Sequence, residues 1–169
     1  ELTAKEMGIV NCLINNASIF ERDEIESINS ELWDSHIDVN LRAPLMLSYK
    51  FAQNITNNLQ GNIINLIDQR VWNLTPHFIS YSVSKAGLWS LTQILAQALA
   101  PKIRVNAIGP GPILPSSRQT IEDFNKQINS TPLGVGASPE EIFDAVNFIL
   151  NANGMTGQMI ALDGGAHLS

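Results

Sequence analysis

Apolar residues along this chain fall into two alternating patterns. Short unbroken runs bounded by polar or turn residues predict buried parallel strands at Ile9–Ile14, Asn62–Ile67, Ile103–Ile108 and Gln158–Leu162. Between them the apolar spacing lengthens to the helical repeat. Glu31–Asn57 sets Leu32, Ile37, Leu41, Leu45, Leu47, Phe51 and Ile55 near one face and predicts a long helix, with Pro44 as a kink point. Ser80–Ala100 repeats the pattern through Val83, Leu88, Leu91, Leu95 and Leu99 and is closed by Pro101. A weaker helix is expected over Ile121–Ile128. Another starts at Ser138, with Pro139 in its first turn and Glu141 completing a capping box, and reaches about Leu150. A helix tail is expected ahead of Met7.

Strand and helix alternate throughout, which implies an α/β fold: a Rossmann-like doubly wound parallel sheet with helices on both faces. Such sheets bind ligands beyond the carboxyl ends of their strands. Three polar clusters fall there, Asn15–Phe20, Asp68–Arg70 and Gly109–Leu114, so one shared cleft is expected. Gly109–Pro112 is not a phosphate loop, because no glycine-rich stretch follows a first strand and opens a helix.

Composition narrows the function classes. With 169 residues, 44% of them hydrophobic and 15% charged, and no repeat or linker, the chain reads as one globular domain. Its 10 Lys and Arg stand against 16 Asp and Glu, and no basic run is present, which argues against nucleic acid as a partner. The lone Cys12 can form no internal disulfide and reads as a core residue in a reducing compartment. No apolar run approaches a membrane span and Glu1–Glu6 lacks a signal-peptide pattern, so a cytoplasmic protein without membrane contact is expected. His36, His77 and His167 are scattered; they read as surface or loop residues, and no metal is predicted. Trp33, Trp72 and Trp89 read as packing or subunit-contact residues, with Trp72 near enough to the cleft to meet substrate.

The candidate chemistry is that of Tyr81 and Lys85, at i and i+4 on one face of the helix that follows the Asp68 loop, a spacing that by itself equally suits an ordinary exposed turn of an amphipathic helix. An ammonium beside a phenol favours the phenolate, and the pair is expected to lower the Tyr81 pKa towards a usable range. Arg70 lies near the cleft with its role open.

Five stretches, in order, then resemble the short-chain dehydrogenase/reductase family over nearly the whole chain. Asn15-Asn-Ala-Ser18 resembles the Asn-Asn-Ala-Gly stretch that lines the cofactor pocket. Asp38-Val-Asn-Leu41 resembles the segment in which Asn40 is the catalytic asparagine, holding a water linked to the lysine. Tyr81-Ser-Val-Ser-Lys85 supplies tyrosine and lysine. Ile103–Gly111 resembles the strand and turn that hold the nicotinamide. Thr156-Gly157 and Asp163-Gly-Gly165 resemble the closing strand. Where the family usually has a serine, thirteen residues before the tyrosine, this chain has Asp68. That aspartate and Phe20 are similar to the pteridine reductase branch, in which they act in proton delivery and in stacking on the pterin.

The resemblance implies an oxidoreductase using NADP, or NAD, on a dihydropterin-like small molecule. Catalytic residues would be Tyr81, Lys85, Asp68 and Asn40, and substrate contacts Phe20, Asp68 and Tyr81. Cofactor contacts would be Asn16, Ala17, Ser18, Tyr81, Lys85, Pro110, Gly111 and Ile113. It implies a homodimer or homotetramer, paired through the helices carrying Asn40 and Tyr81. It also implies that 1–169 is one domain incomplete at its N-terminus, holding the last four of an expected seven strands and lacking the glycine-rich phosphate turn. Two alternatives stand beside this reading. One is the same family acting on another carbonyl or hydroxy substrate, such as a 3-oxoacyl thioester. The other is a truncated remnant without catalysis, serving only as an association module.

Overall fold

The apolar runs form four strands, β1 (Cys12–Asn15), β2 (Gly61–Leu66), β3 (Ile103–Pro110) and β4 (Met159–Leu162), which pair in that spatial order and all in parallel. The computed structural model describes residues 6, 8–56, 59–116 and 119–168. The helix tail expected ahead of Met7 falls almost wholly outside them.

Side chains alternate across the sheet and separate two cores. On one face Ile63 and Val105 pack with Phe51, Ile55 and Ala96; on the other Ile64, Leu66 and Ile108 pack with Ala145 and Ile149. The first face is covered by α2 (Ala43–Asn54) and α3 (Ile79–Ala98), the second by α5 (Pro139–Asn151). This is the Rossmann-like layering expected from the strand and helix alternation. A short amphipathic α4 (Ile121–Asn129) precedes α5, whose Ser138 and Glu141 form the expected capping box.

Three boundaries differ from expectation. β1 starts at Cys12, so Ile9 and Val10 lie outside it and exposed, and Cys12, on the outermost strand, is only partly buried rather than core. β3 runs on through Gly109 and Pro110, which pair with Ala161 and Leu162. The single helix expected over Glu31–Asn57 is α1 (Ser30–Ile37), a wide π-helical turn (Asp38–Arg42) and α2, which ends at Asn54. Pro44 explains the wide turn: it has no N–H to return to the carbonyl of Asn40 in an α pattern. The backbone instead opens to longer bonds, as in Ala43 N–H to the Asp38 carbonyl.

The closing turn after β4 is fixed by close packing. Gly164 has φ +63°, and a Cβ there would lie 2.1 Å from the Val135 carbonyl oxygen. A Cβ on Gly111 would lie 2.7 Å from the Asp163 Cα, so the turn after β3 rests directly on this closing segment.

Candidate active site

The three polar clusters meet at the carboxyl edge of the sheet and line two adjoining cavities. The inner one, about 320 Å³, is walled by Asn16, Ser18, Tyr81, Lys85, Pro110 and Ile113 among others. The outer one, about 410 Å³, is walled by Gln69, Arg70, Phe78, Gln119 and Phe124. Phe20, Asp68, Gly111 and Ile113 line both and form the partition. Ala17 is exposed and lines neither.

Asp68 and Tyr81 are brought together at this partition. The Tyr81 hydroxyl donates to Asp68 Oδ2 at 2.7 Å, and the Arg70 backbone N–H donates to Asp68 Oδ1 at 2.8 Å. Burial pushes the Asp68 carboxyl above its ordinary range, a rise opposed by the Arg70 amide, the Tyr81 hydroxyl and the charges of Arg70 and Lys85. Burial is also the main cause that holds the Tyr81 phenol well above 10.0, with the negative Asp68 adding to it. This corrects the expectation that Lys85 would lower the Tyr81 pKa. The Lys85 ammonium is 5.8 Å from the Tyr81 ring centre and donates instead to the Leu66 carbonyl at 2.8 Å. Burial brings the Lys85 pKa down to about 8, against the pull of Asp68.

Asn40, inside the π-helical turn, is fully buried. Its side-chain oxygen accepts from Ile19 N–H at 2.8 Å and Ser18 Oγ at 3.1 Å, and its amide donates to the Ile19 carbonyl at 2.9 Å and Ser84 Oγ at 3.0 Å. These four bonds use its whole side-chain capacity. The side chain therefore ties the 15–20 loop to α3, and it has no capacity left to hold a water.

The start of α3, which carries Tyr81, is fixed by residues with no sequence signature. The buried Asp23 carboxylate accepts the Ser80 N–H at 3.1 and 3.3 Å, and Phe78 N–H donates to the Asp23 carbonyl at 2.8 Å. Phe78 itself takes a left-handed φ of 58°. His36 was expected on the surface; it is fully buried, because its Nε2 accepts the Glu21 N–H at 3.1 Å while its Nδ1 meets Ser80 Oγ at 2.7 Å. Burial lowers its pKa, so the ring is the neutral form that this bonding requires. His77 is exposed beside Glu24, and the half-buried His167 pairs with Asp163 at 2.8 Å. Trp72 packs edge-on against Trp89 and His167 rather than lining either cavity.

Phe20 is stacked on Phe78 with centroids 4.6 Å apart and meets Tyr81 edge-on at 4.7 Å. The Arg70 guanidinium lies 4.9 Å from the Phe78 centroid and 5.6 Å from that of Phe20. Phe78, Asp23 and His36 were not singled out for the site from sequence. Arg70 was noticed only through its nearness to Asp68.

A family model described as enoyl-(acyl carrier protein) reductase matches residues 1–167. Among solved structures, FolM alternative dihydrofolate reductase 1 from Brucella suis, in complex with NADP, superposes with a TM-score of 0.97 at 45% identity, over 99% of this chain and 68% of that one. The dihydromonapterin reductase of Enterobacter sp. (strain 638) is 27% identical, over 95% of this chain and 68% of that protein. The L-xylulose reductase of Homo sapiens is 33% identical, over 94% and 68%.

Proposed function

The chain belongs to the short-chain dehydrogenase/reductase family, a family of oxidoreductases, and on that premise we propose that it contributes the catalytic half of an NADPH-dependent reductase acting on the C=N bond of a dihydropterin. The observation that carries this reading is the 2.7 Å hydrogen bond from Tyr81 to Asp68, a carboxyl group at the position where the family's usual serine would stand.

The inner cavity suits a nicotinamide ribose. Lys85 is almost fully buried there and donates one bond among the described residues, so its remaining N–H groups need acceptors that ribose hydroxyls provide. NADP rather than NAD is supported by the Brucella relative, solved with NADP. Held there, a nicotinamide cofactor would be the source of hydride for the carbon. This chain's residues handle the proton and the positioning. Tyr81 and Asp68 hold one shared proton between the phenol oxygen and Oδ2, at the partition between the cavities. Transfer of that proton to the ring nitrogen takes the pair from one negative charge to two, a charge that the nearby Lys85 and Arg70 offset until a proton from solvent restores the pair. Phe20 and Ile113 wall the site on the side where a flat ring would lie. Asn40 positions the 15–20 loop. Subunit pairing through α2 and α3 is supported by the exposed Leu45, Met46, Leu47, Val83 and Ile94 on these helices.

The test is NADPH oxidation by the full gene product with a dihydropterin, run beside a panel of carbonyl compounds that includes a ketose and a 3-oxoacyl thioester. Turnover of the dihydropterin, lost in Tyr81→Phe, is expected. Turnover confined to the carbonyl panel would overturn the pterin reading in favour of a carbonyl substrate, the reading that the L-xylulose reductase relative favours.

A further inference from the structure

Among the described residues the outer cavity holds two charged side chains, and they differ in how they are used. Asp68 has both oxygens engaged, one by Tyr81 and one by the Arg70 amide. The Arg70 guanidinium is the opposite: among the described residues it makes no ion pair and donates no hydrogen bond, and what holds it is the faces of Phe20 and Phe78. A guanidinium lying on aromatic rings keeps its edge N–H groups free and fixed in direction. The neighbouring Arg22 also lies over Phe78, at 5.9 Å, but is paired with Glu24. The Arg70 charge thus acts on Asp68 at a distance, while its hydrogen-bonding edge is unused among the described residues.

The rest of the cavity wall matches it. Away from Asp68 the described lining is Ser116, Gln119, Gln127, Phe124 and Leu114, which bring polar and apolar groups and no further carboxylate. At about 410 Å³ it falls in the size range of small-molecule sites. A half-exposed arginine with no acceptor among the described residues, facing a cavity whose carboxylate, Asp68, has both oxygens engaged by other donors, is placed to receive an anion from the ligand.

We propose that Arg70 is a specificity residue that binds a carboxylate on the substrate's side chain, so that the enzyme prefers dihydropterins with an acidic tail over those with a neutral one. The proposal rests on the dihydropterin reading above and deepens it. Arg70 accepts the carboxylate through its free edge while its face stays on Phe20 and Phe78, and the reducible ring lies at the Asp68–Tyr81 end. A side chain that ends in hydroxyl groups makes only neutral hydrogen bonds there and gains less from the charge.

The experiment compares kcat/KM for dihydrofolate, which carries a glutamate tail, and for dihydromonapterin, which carries a neutral polyhydroxy tail. Both are measured with NADPH in wild type, Arg70→Gln and Arg70→Lys, with NADPH affinity by fluorescence as the control for folding. Loss of one charge-assisted contact is expected to lower kcat/KM for dihydrofolate about tenfold or more in Arg70→Gln, chiefly through KM. Dihydromonapterin is expected to fall by a clearly smaller factor, set only by loss of the Arg70 charge beside the Asp68–Tyr81 pair, and Arg70→Lys to recover part of the preference. Raising the salt concentration is expected to raise KM for dihydrofolate in wild type and not in Arg70→Gln. An equal fall for both substrates, or no fall for either, overturns the assignment of Arg70 and leaves the dihydropterin reading standing. Failure of wild type to reduce either compound overturns both.

Discussion

Lys85 illustrates how a single buried side chain can cost stability at a candidate site. Its pKa falls from an ordinary 10.5 to about 8, because burial disfavours the ammonium. The sign of the linkage follows. Below about pH 8 both folded and unfolded chains carry the charge, and the folded state bears the full cost of burying it. Between about 8 and 10.5 the folded chain has lost the proton while the unfolded chain keeps it, so stability rises with pH across that window. The displacement corresponds to roughly 3 kcal/mol. Lys85→Met is therefore expected to raise the thermal midpoint at pH 7 and to abolish turnover; a lower midpoint would show that the bond to Leu66 outweighs the cost of burial. In the wild type, turnover is expected to decline as pH rises through about 8 and the ammonium is lost. At this scale the sequence was legible where chemistry follows short spacing: Tyr81 and Lys85 sit one helical turn apart, and Asp68 stands in a recognisable place before them. It was silent where partners are distant along the chain. Nothing local marks His36 as the acceptor for Glu21 N–H, or Phe78 as the shelf for Phe20 and Arg70.

The elements that carry these residues are positioned by side chains that substitute for regular backbone bonding. α3 has no capping side chain at Phe78, and the role falls to Asp23, from a loop far away in sequence, whose carboxylate accepts the Ser80 N–H directly before Tyr81. Asp23→Ala is expected to destabilise the fold by about 1–2 kcal/mol, a typical cost for losing a helix cap. It is also expected to lower turnover more than it weakens NADPH binding, since the displaced residue is the neighbour of Tyr81. Chemical denaturation and steady-state kinetics check the two halves, and a variant as stable as wild type would remove Asp23 as the anchor of α3. The composition of Glu31–Asn57 suits an ordinary helix throughout, so periodicity gave no sign of the widened turn at Asp38–Arg42. Its one trace in the sequence was Pro44, which was read as a kink. The proline's missing N–H acts one turn earlier, at the level of Asn40, and opens the helix where Asn40 reaches Ser18 and Ile19.

At the scale of the whole molecule, the two faces of the sheet are finished to different degrees. Behind β2 and β3 both faces are dry: Ile63, Ile64, Val105 and Ile108 are 0% exposed. Along β1 the α5 side is open, and Ile14, in register with the buried Ile64, is 43% exposed. Strand patterns show burial but not which neighbour provides it, so the sequence anticipated the parallel sheet and its two layers without showing which helix covers each face. The outer surfaces of α2 and α3 pose the same question. Leu47 is 52% exposed and Ile94 60%, on helices whose inner sides fill the core with Phe51, Leu88 and Ala96. Apolar residues on the outward side of two adjacent helices suit a second copy of the same pair, because a twofold contact matches each patch with itself. These two helices also carry or adjoin Asn40 and Tyr81, so pairing would brace the catalytic elements from behind. Leu47→Glu combined with Ile94→Glu would place two carboxylates from each subunit in that contact. The expected result is a shift from oligomer to monomer by light scattering, with reduced turnover and an unchanged circular dichroism spectrum. If the double variant keeps the mass of the wild-type oligomer, the contact lies elsewhere and α2 and α3 face solvent in the assembly.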